Sequence, residues 1–223
     1  MDAPVTTAIA DWVHDLKDGD IPTNVREKAI EHILDGYGVG LAGAITDGHQ
    51  ILRRHIAQYK ADGQSQVFGL SMRAPAELAA LINGVSMHAM DYDDTQIPRT
   101  VEHSPGSLVH PTTPSLAASS AVAERIGASG KDLVTAFVIG VEVQCLLADA
   151  IRRRHGFHPT SILGGFGSFA AAGKLLGLNK EQLKTGLGIV AVLGAGYAPN
   201  NGTMTKWLQA GQSMAGLPVG GGG

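Results

Sequence analysis

Apolar residues recur at three- and four-residue spacing along nearly the whole chain, and this periodicity constrains the fold more than any other feature. Ala8, Trp12 and Leu16 lie on one such helical face, and the segment 48–59 repeats the pattern. The segment 64–70 is too short and too isolated to predict a sheet. With roughly eight or nine helical segments and no alternating strand, the sequence predicts an all-α, multi-helix globular domain.

Capping signals indicate where three of these helices begin. Ser129 is followed three residues later by Asp132, and Asn179 by Gln182, which is the spacing of a capping box. Pro75 suits the first turn of a helix, because its missing N–H would have no helical partner there. A new helix is therefore predicted at each of these three positions.

The charge balance and the single cysteine exclude several classes of protein. Seventeen Lys and Arg against twenty Asp and Glu give a formal charge of −3, so there is no basic excess for nucleic-acid binding. The apolar segment 133–151 is interrupted by polar residues, which predicts a buried helix rather than a membrane span. One thiol, Cys145, forms neither an internal disulfide nor a thiolate-only metal site. We expect a cytoplasmic protein with neither a nucleic-acid nor a membrane partner.

The helical pattern ends before the chain does. Residues 1–211 are predicted to form the helical domain, and residues 212–223, which finish in four glycines, a disordered tail. The alternative is a chain that is cut short before its natural end.

The segment 88–110, most of it a long polar loop, concentrates residues that carry chemistry. These are three acids and three histidines: His88, Asp91, Asp93, Asp94, His103 and His110. Such a group can cap helices and pair with surface cations, act as a general acid and base, or bind a divalent cation through carboxylate oxygens. The metal interpretation has the least support, since neither an EF-hand pattern nor HExxH is present.

Two further polar residues stand at helix starts or in donor-rich loops. His158 precedes Pro159 at a predicted helix start, where free N–H groups and the helix dipole bind anions. The alternative is a histidine that caps its own helix. Lys206 follows a loop rich in hydrogen-bond donors, so it is either a carboxylate anchor or a solvated surface lysine.

Four segments resemble, in the same order, those of one enzyme family. They are NGVSMHAMDYDDT, LVHPTTPSLAASSAVAE, GFHPTSILGGFGSFAAAGKLLGL and GTMTKWLQAG. The chain is similar over Ile9 to Gly211 to the 2-methylcitrate dehydratase family (MmgE/PrpD), which includes cis-aconitate decarboxylase and iminodisuccinate epimerase. The resemblance implies a helical domain and a smaller lid domain, with the active site between them and no metal or organic cofactor. It also implies small di- and tricarboxylate substrates and proton transfer at a carbon beside a carboxylate.

The same resemblance implies five site residues. Asp91, His110 and His158 correspond to catalytic positions, while Thr95, His158 and Lys206 correspond to substrate-binding positions. Lys206 and His158 would hold substrate carboxylates and Thr95 would orient them. His110 would move the proton, and Asp91 would orient His110 or act as its partner.

Two histidines compete for the catalytic position in the loop. His110 is preferred to His103, because the family histidine precedes a proline and lies fourteen residues before a glutamate, as His110 does relative to Pro111 and Glu124. The chain departs from the family at Trp207 and Gln209, where proline and histidine are usual.

The resemblance leaves the activity of this chain open. The lid domain has no counterpart here, so we expect the helical portion of a lyase that is inactive alone and forms a homodimer. Two alternatives remain. One is a non-catalytic, truncated helical module for interaction or dimerisation. The other is a Mg²⁺-dependent all-α enzyme using Asp91, Asp93 and Asp94, although DYDDT lacks the DDxxD spacing of such enzymes.

Overall fold

The computed structural model describes residues 4–59, 63–69, 71–97, 107–151 and 156–215. These residues contain nine α-helices and one two-stranded antiparallel sheet, which confirms the predicted all-α fold. The helices are α1 (Val5–Asp15), α2 (Thr23–Gly43), α3 (Asp47–Ala57), α4 (Ala76–His88), α5 (Thr112–Ile126), α6 (Gly130–Ala150), α7 (Pro159–Leu175), α8 (Lys180–Leu193) and α9 (Met204–Ala215). The strands are β1 (Ser65–Gln66) and β2 (Arg73–Ala74). Strands of two residues are too short to show an alternating pattern, which is why the sequence predicted no sheet there.

The predicted helix starts are found at the expected positions. The Ser129 hydroxyl accepts a hydrogen bond from the Asp132 N–H at 3.2 Å, and the Asn179 side chain accepts one from the Gln182 N–H at 2.9 Å. Both pairs complete a capping box. Helix α4 begins one residue later than predicted, so Pro75 is the N-cap of α4 and does not lie in its first turn.

The core depends on close helix contacts between small residues. Helices α5 and α7 lie at its centre, and α6 packs along α7. A Cβ atom added at Gly140 of α6 would lie 2.8 Å from the Gly167 carbonyl oxygen, and one added at Gly167 would lie 2.7 Å from the Gly140 carbonyl oxygen. The two backbones therefore touch, and only glycine fits at either position.

Helix α9 extends into the predicted tail. It packs along α4, where a Cβ atom at Gly84 would overlap the fully buried Met214 side chain. Residues 212–215 are thus part of a packed helix, and the boundary predicted at residue 211 is four residues too early. Residues 216–223 lie outside the described part of the chain.

Among the described residues, α6 alone is long and apolar enough to cross a membrane by length and composition. Half of its most apolar window is buried, and it packs against α5 and α7. Core helices of globular proteins pass the same test.

Candidate active site

The ends of four helices meet and bring the predicted site residues together. Helix α4 ends just before Asp91, and the segment that follows carries Thr95. His110 immediately precedes Pro111, the N-cap of α5; His158 is the N-cap of α7, and Lys206 lies in the first turn of α9. The isolated bridge between Gln96 and Val109 closes the base of the segment that joins α4 to α5. The competing candidate, His103, lies outside the described residues.

Asp91 forms an ion pair with Lys206. Asp91 has a φ of 57°, the left-handed region that aspartate tolerates better than most residues, and no other non-glycine residue in the described ranges has a positive φ. Its Oδ1 accepts a hydrogen bond from Lys206 Nζ. The Asp91 side chain is 60% exposed, whereas that of Lys206 is 10% exposed, so Lys206 is not a solvated surface lysine. Burial, the largest single influence, acts to raise the pKa of Asp91, but the hydrogen bond and charge of Lys206 together with the nearby His110 and His88 outweigh it, so the pKa lies below its usual range.

The His110 ring lies between two carboxylates. Its Nε2 is 3.8 Å from Asp91 Oδ1, and its Nδ1 is 3.5 Å from Asp93 Oδ1. The Asp93 carbonyl oxygen and Thr95 Oγ1 lie 3.3 and 3.5 Å from the same Nδ1. The His110 backbone N–H donates to Thr160 Oγ1 at 3.2 Å, which ties the residue to the start of α7. Asp93 thus lies on the Nδ1 side of His110, and Asp91, to which the resemblance gives the role of orienting carboxylate or partner, lies on the Nε2 side.

Asp93 is the most buried acid of the site. Its Oδ2 accepts hydrogen bonds from His88 Nδ1 at 2.8 Å and from Thr113 Oγ1 at 2.6 Å. Burial, the largest single influence, acts to raise its pKa, but His88, His110 and Thr113 together outweigh burial, so the pKa is lowered and the carboxyl stays ionised. The sequence gave His88 no role and Asp93 only the role of a ligand in the Mg²⁺ alternative, because the contact between them depends on how the segment turns after α4.

His158 is a buried, neutral histidine. Its side chain makes no capping hydrogen bond to the described part of α7, so the self-capping interpretation is wrong. Its ring stacks on that of His88, with centroids 5.6 Å apart and planes inclined by 23°. Burial, followed by the nearby His88 and Lys206, lowers the pKa of His158 to about 4. A substrate carboxylate would therefore meet a neutral imidazole at His158, and the positive charge would come from Lys206.

The three acids of DYDDT do not form one metal site. The Asp94 carboxylate accepts a hydrogen bond from the Thr112 N–H at 3.1 Å and faces His32 at 3.6 Å, away from Asp91 and Asp93. Burial raises the pKa of Asp94. The Mg²⁺ alternative required these carboxylates to converge, and in the structure they do not.

A different set of donor atoms lies closer together within the described ranges. One atom from each of His88, Asp91, Asp93 and His110 lies within 4.8 Å of the others. Asp91 is hydrogen-bonded to Lys206, however, and His88 and Asp93 are hydrogen-bonded to each other. Three of the four residues therefore already hold hydrogen-bond partners within the protein.

The two departures from the family pattern shape the neighbouring loop. Gln209 Oε1 accepts a hydrogen bond from the Tyr197 N–H at 3.1 Å, and the Gln209 carbonyl oxygen accepts one from Ser161 Oγ at 2.7 Å. Trp207 packs against α3, where a Cβ atom added at Gly48 would lie 3.0 Å from the Trp207 ring. Both residues therefore support the site from outside.

Comparison with known proteins identifies the family. The family model of the MmgE/PrpD N-terminal domain matches residues 7–217. The chain belongs to the MmgE/PrpD family. The match continues to residue 217, beyond the predicted end of the resemblance at Gly211.

Curated relatives of this MmgE/PrpD chain include three cis-aconitate decarboxylases. The human protein is 34% identical over 218 residues, which cover 94% of this chain and 44% of the relative. The mouse protein is 35% identical over 216 residues (94% and 43%), and that of Aspergillus terreus is 30% identical over 213 residues (93% and 43%). The chain thus spans less than half the length of these relatives.

Proposed function

We propose that this chain forms the helical half of the active site of a lyase that acts on small di- or tricarboxylates by proton transfer. The observation that carries the proposal is the placement of His110 Nε2 beside the Asp91–Lys206 pair, with Asp93 behind Nδ1. A mostly buried ammonium group next to an imidazole nitrogen suits an anion whose reacting carbon lies beside a carboxylate.

The residues divide the work between binding and proton transfer. Lys206 holds a substrate carboxylate, which competes with Asp91 for the ammonium hydrogens. Neutral His158 donates or accepts one further hydrogen bond, and Thr95 limits the orientation of the bound anion. His110 Nε2 exchanges a proton with the carbon beside the carboxylate, while Lys206 stabilises the negative charge that develops there.

Cis-aconitate is the substrate we propose, because relatives that cover most of this chain are cis-aconitate decarboxylases. In decarboxylation the bond between a carbon and its carboxylate breaks, and CO₂ leaves. The electron pair stays on the substrate. His110 Nε2, which has first taken up a proton from solvent, passes that proton to the substrate and completes a five-carbon dicarboxylate, and His110 returns to its neutral form.

The test separates binding from turnover. Cis-aconitate is titrated into the purified chain by calorimetry, and ¹³C NMR follows the release of CO₂ and the five-carbon product. We expect binding that is lost in Lys206→Met, with turnover well below that of a two-domain relative. Failure of the chain to bind cis-aconitate, citrate or 2-methylcitrate would refute the proposal.

A specific observation also supports self-association. Helix α2 exposes three apolar side chains on one face, Ile30 (51% exposed), Leu34 (73%) and Leu41 (54%), and Ile45 (81%) is exposed just after the helix ends. A continuous apolar face of this kind indicates a protein contact. We propose that it contacts a second copy in a homodimer, with or without catalysis.

Light scattering of Leu34→Ser/Leu41→Ser should show a monomer, while the exposed control Glu31→Ser on the same helix should stay dimeric. A monomeric unmodified chain would refute this second proposal.

A further inference from the structure

One buried histidine of the site has no part in the roles described so far. His88 is the last residue of α4 and is fully buried. Its Nδ1 lies 2.8 Å from Asp93 Oδ2, and its Nε2 has no hydrogen-bond partner among the described residues. Its ring lies edge-on to His110, with centroids 4.9 Å apart. His88 therefore contacts the proposed proton carrier and also its carboxylate partner.

The proton in the His88–Asp93 contact belongs to His88. Asp93 is ionised and only accepts, so His88 Nδ1 must be the donor. Thr113 Oγ1 donates to the same carboxylate oxygen. Two donors on Oδ2 fix the carboxylate plane, so that Oδ1 faces His110. Oδ1 is buried and makes no hydrogen bond to the residues the structure describes.

This arrangement selects one tautomer of His110. Nδ1 faces two oxygens that can only accept, Asp93 Oδ1 at 3.5 Å and the Asp93 carbonyl at 3.3 Å. A proton on Nδ1 is attracted to both oxygens. A lone pair on Nδ1 would instead face the lone pairs of these oxygens and be repelled by them. With the proton on Nδ1, the lone pair of Nε2 points toward Asp91 and Lys206, where a substrate anion would bind.

We propose that His88 is a positioning residue: together with Thr113 it anchors Asp93, so that His110 carries its proton on Nδ1 and keeps Nε2 free to exchange a proton with substrate. The substrate in this statement rests on the proposed function, but the tautomer does not. When Nε2 takes a proton, His110 becomes an imidazolium beside an Asp93 that remains ionised. His88 keeps its own proton throughout.

The surrounding charges leave Asp93 as the dominant influence on His110. The titratable groups that face the ring come from α4, the segment after it, α7 and α9: His88, Asp91, Asp93, His158 and Lys206. Asp91 and Lys206 largely cancel, and His158 is neutral. Asp93 is thus the unmatched charge beside His110, and His88 determines how that charge is directed.

Three variants test the proposal in the 223-residue chain without substrate. His88→Leu removes the donor and keeps an apolar volume, while His88→Asn retains a donor close to the position of Nδ1. His49→Leu is the matched control, because His49 is also fully buried, bonds through Nδ1 to Ser86 Oγ at 2.5 Å, and lies on another helix. Long-range ¹H–¹⁵N NMR reports the tautomer of His110 in each variant.

We expect the Nδ1–H form of His110 to exceed the other by about tenfold in the unmodified chain, because Nδ1–H donates to the Asp93 carbonyl oxygen at 3.3 Å and is attracted by the ionised Asp93 carboxylate 3.5 Å away. His88→Leu should bring the two forms to within about threefold of each other, because Asp93 loses the donor that fixes its carboxylate plane. His88→Asn should restore the tautomer ratio, and His49→Leu should leave it unchanged.

Several outcomes would overturn the proposal. An Nε2–H tautomer in the unmodified chain does so, and so does an unchanged tautomer in a folded His88→Leu. A change in the tautomer ratio of His110 in His49→Leu would show that the loss of another buried histidine has the same effect, and that His88 has no specific role. If His88→Leu fails to fold, Thr113→Val removes the second anchor of Asp93, and a tautomer ratio unchanged in that variant contradicts the role assigned to the anchor. Because none of these readouts uses turnover, an inactive chain leaves the test intact.

Discussion

Replacing Lys206 by methionine tests the proposed anion site most directly. The change keeps the unbranched side chain that packs at the start of α9 and removes only the ammonium group. A hydrogen bond to a charged group contributes about 1.5–3 kcal/mol. Lys206→Met should therefore weaken cis-aconitate binding by roughly 10- to 150-fold. Stability should change little, because Asp91, the partner left behind, is 60% exposed and remains hydrated.

The companion variant Asp91→Asn should act in the opposite direction on binding. Asp91 occupies Lys206 in the structure, so its charge competes with an incoming carboxylate. Neutralising it should strengthen binding by a few fold while lowering turnover, if Asp91 also assists catalysis. Calorimetry on both variants and on the double variant measures the coupling between the two residues.

The two single variants also give the result that would refute this reasoning. Unchanged affinity in Lys206→Met would show that the substrate charge is held elsewhere. Weaker binding in Asp91→Asn would show that Asp91 contacts substrate directly rather than competing with it.

Two further predictions concern stability. The folded pKa of His158 is about 4 against 6.5 in the unfolded chain, so the unfolded state binds more protons between these values and stability falls as pH drops through this range. Urea unfolding should show a loss of about 2 kcal/mol between pH 7 and pH 5 from this group. The loss should shrink in His158→Gln, and an equal loss in both proteins would contradict the assignment. Gly167→Ala should destabilise the fold by about 1–3 kcal/mol, because its Cβ would meet the Gly140 carbonyl oxygen. The control Gly188→Ala, on an exposed part of α8 with open space around it, should instead stabilise by about 0.5–1 kcal/mol. Equal thermal shifts in the two glycine variants would show that the α6–α7 contact is not close.

Local rules predicted the elements well where side chains act on their own backbone. The capping boxes at Ser129 and Asn179 depend on groups three residues apart, so the sequence contains all that is needed to place them. The hairpin β1–β2 was missed because it is held from a distance: Ser65 Oγ donates to the Ala121 carbonyl oxygen, and the Asn83 side chain accepts from the Phe68 N–H. The end of α9 was missed for the same reason, since Met214 is fixed by packing against Gly84 of α4.

The site shows a similar division between composition and geometry. Its residue types were recognisable from the motifs, and the structure brings Asp91, Thr95, His110, His158 and Lys206 to one place. The partners of His110 could not be predicted, because the sequence does not show which nitrogen of His110 faces Asp91 and which faces Asp93.

The DYDDT segment gives three neighbouring acids three different surroundings. The left-handed backbone at Asp91 places its carboxylate on Lys206 at the open side of the site. Asp93 is directed inward to His88 and Thr113, and Asp94 outward to the first N–H of α5. A substrate anion must be able to displace Asp91 from Lys206, whereas the contact between His88 and Asp93 must stay fixed during proton transfer. It follows that the Asp91–Lys206 pair, whose carboxylate is exposed, suits substrate exchange, and that the buried His88–Asp93 pair suits the permanent alignment of His110.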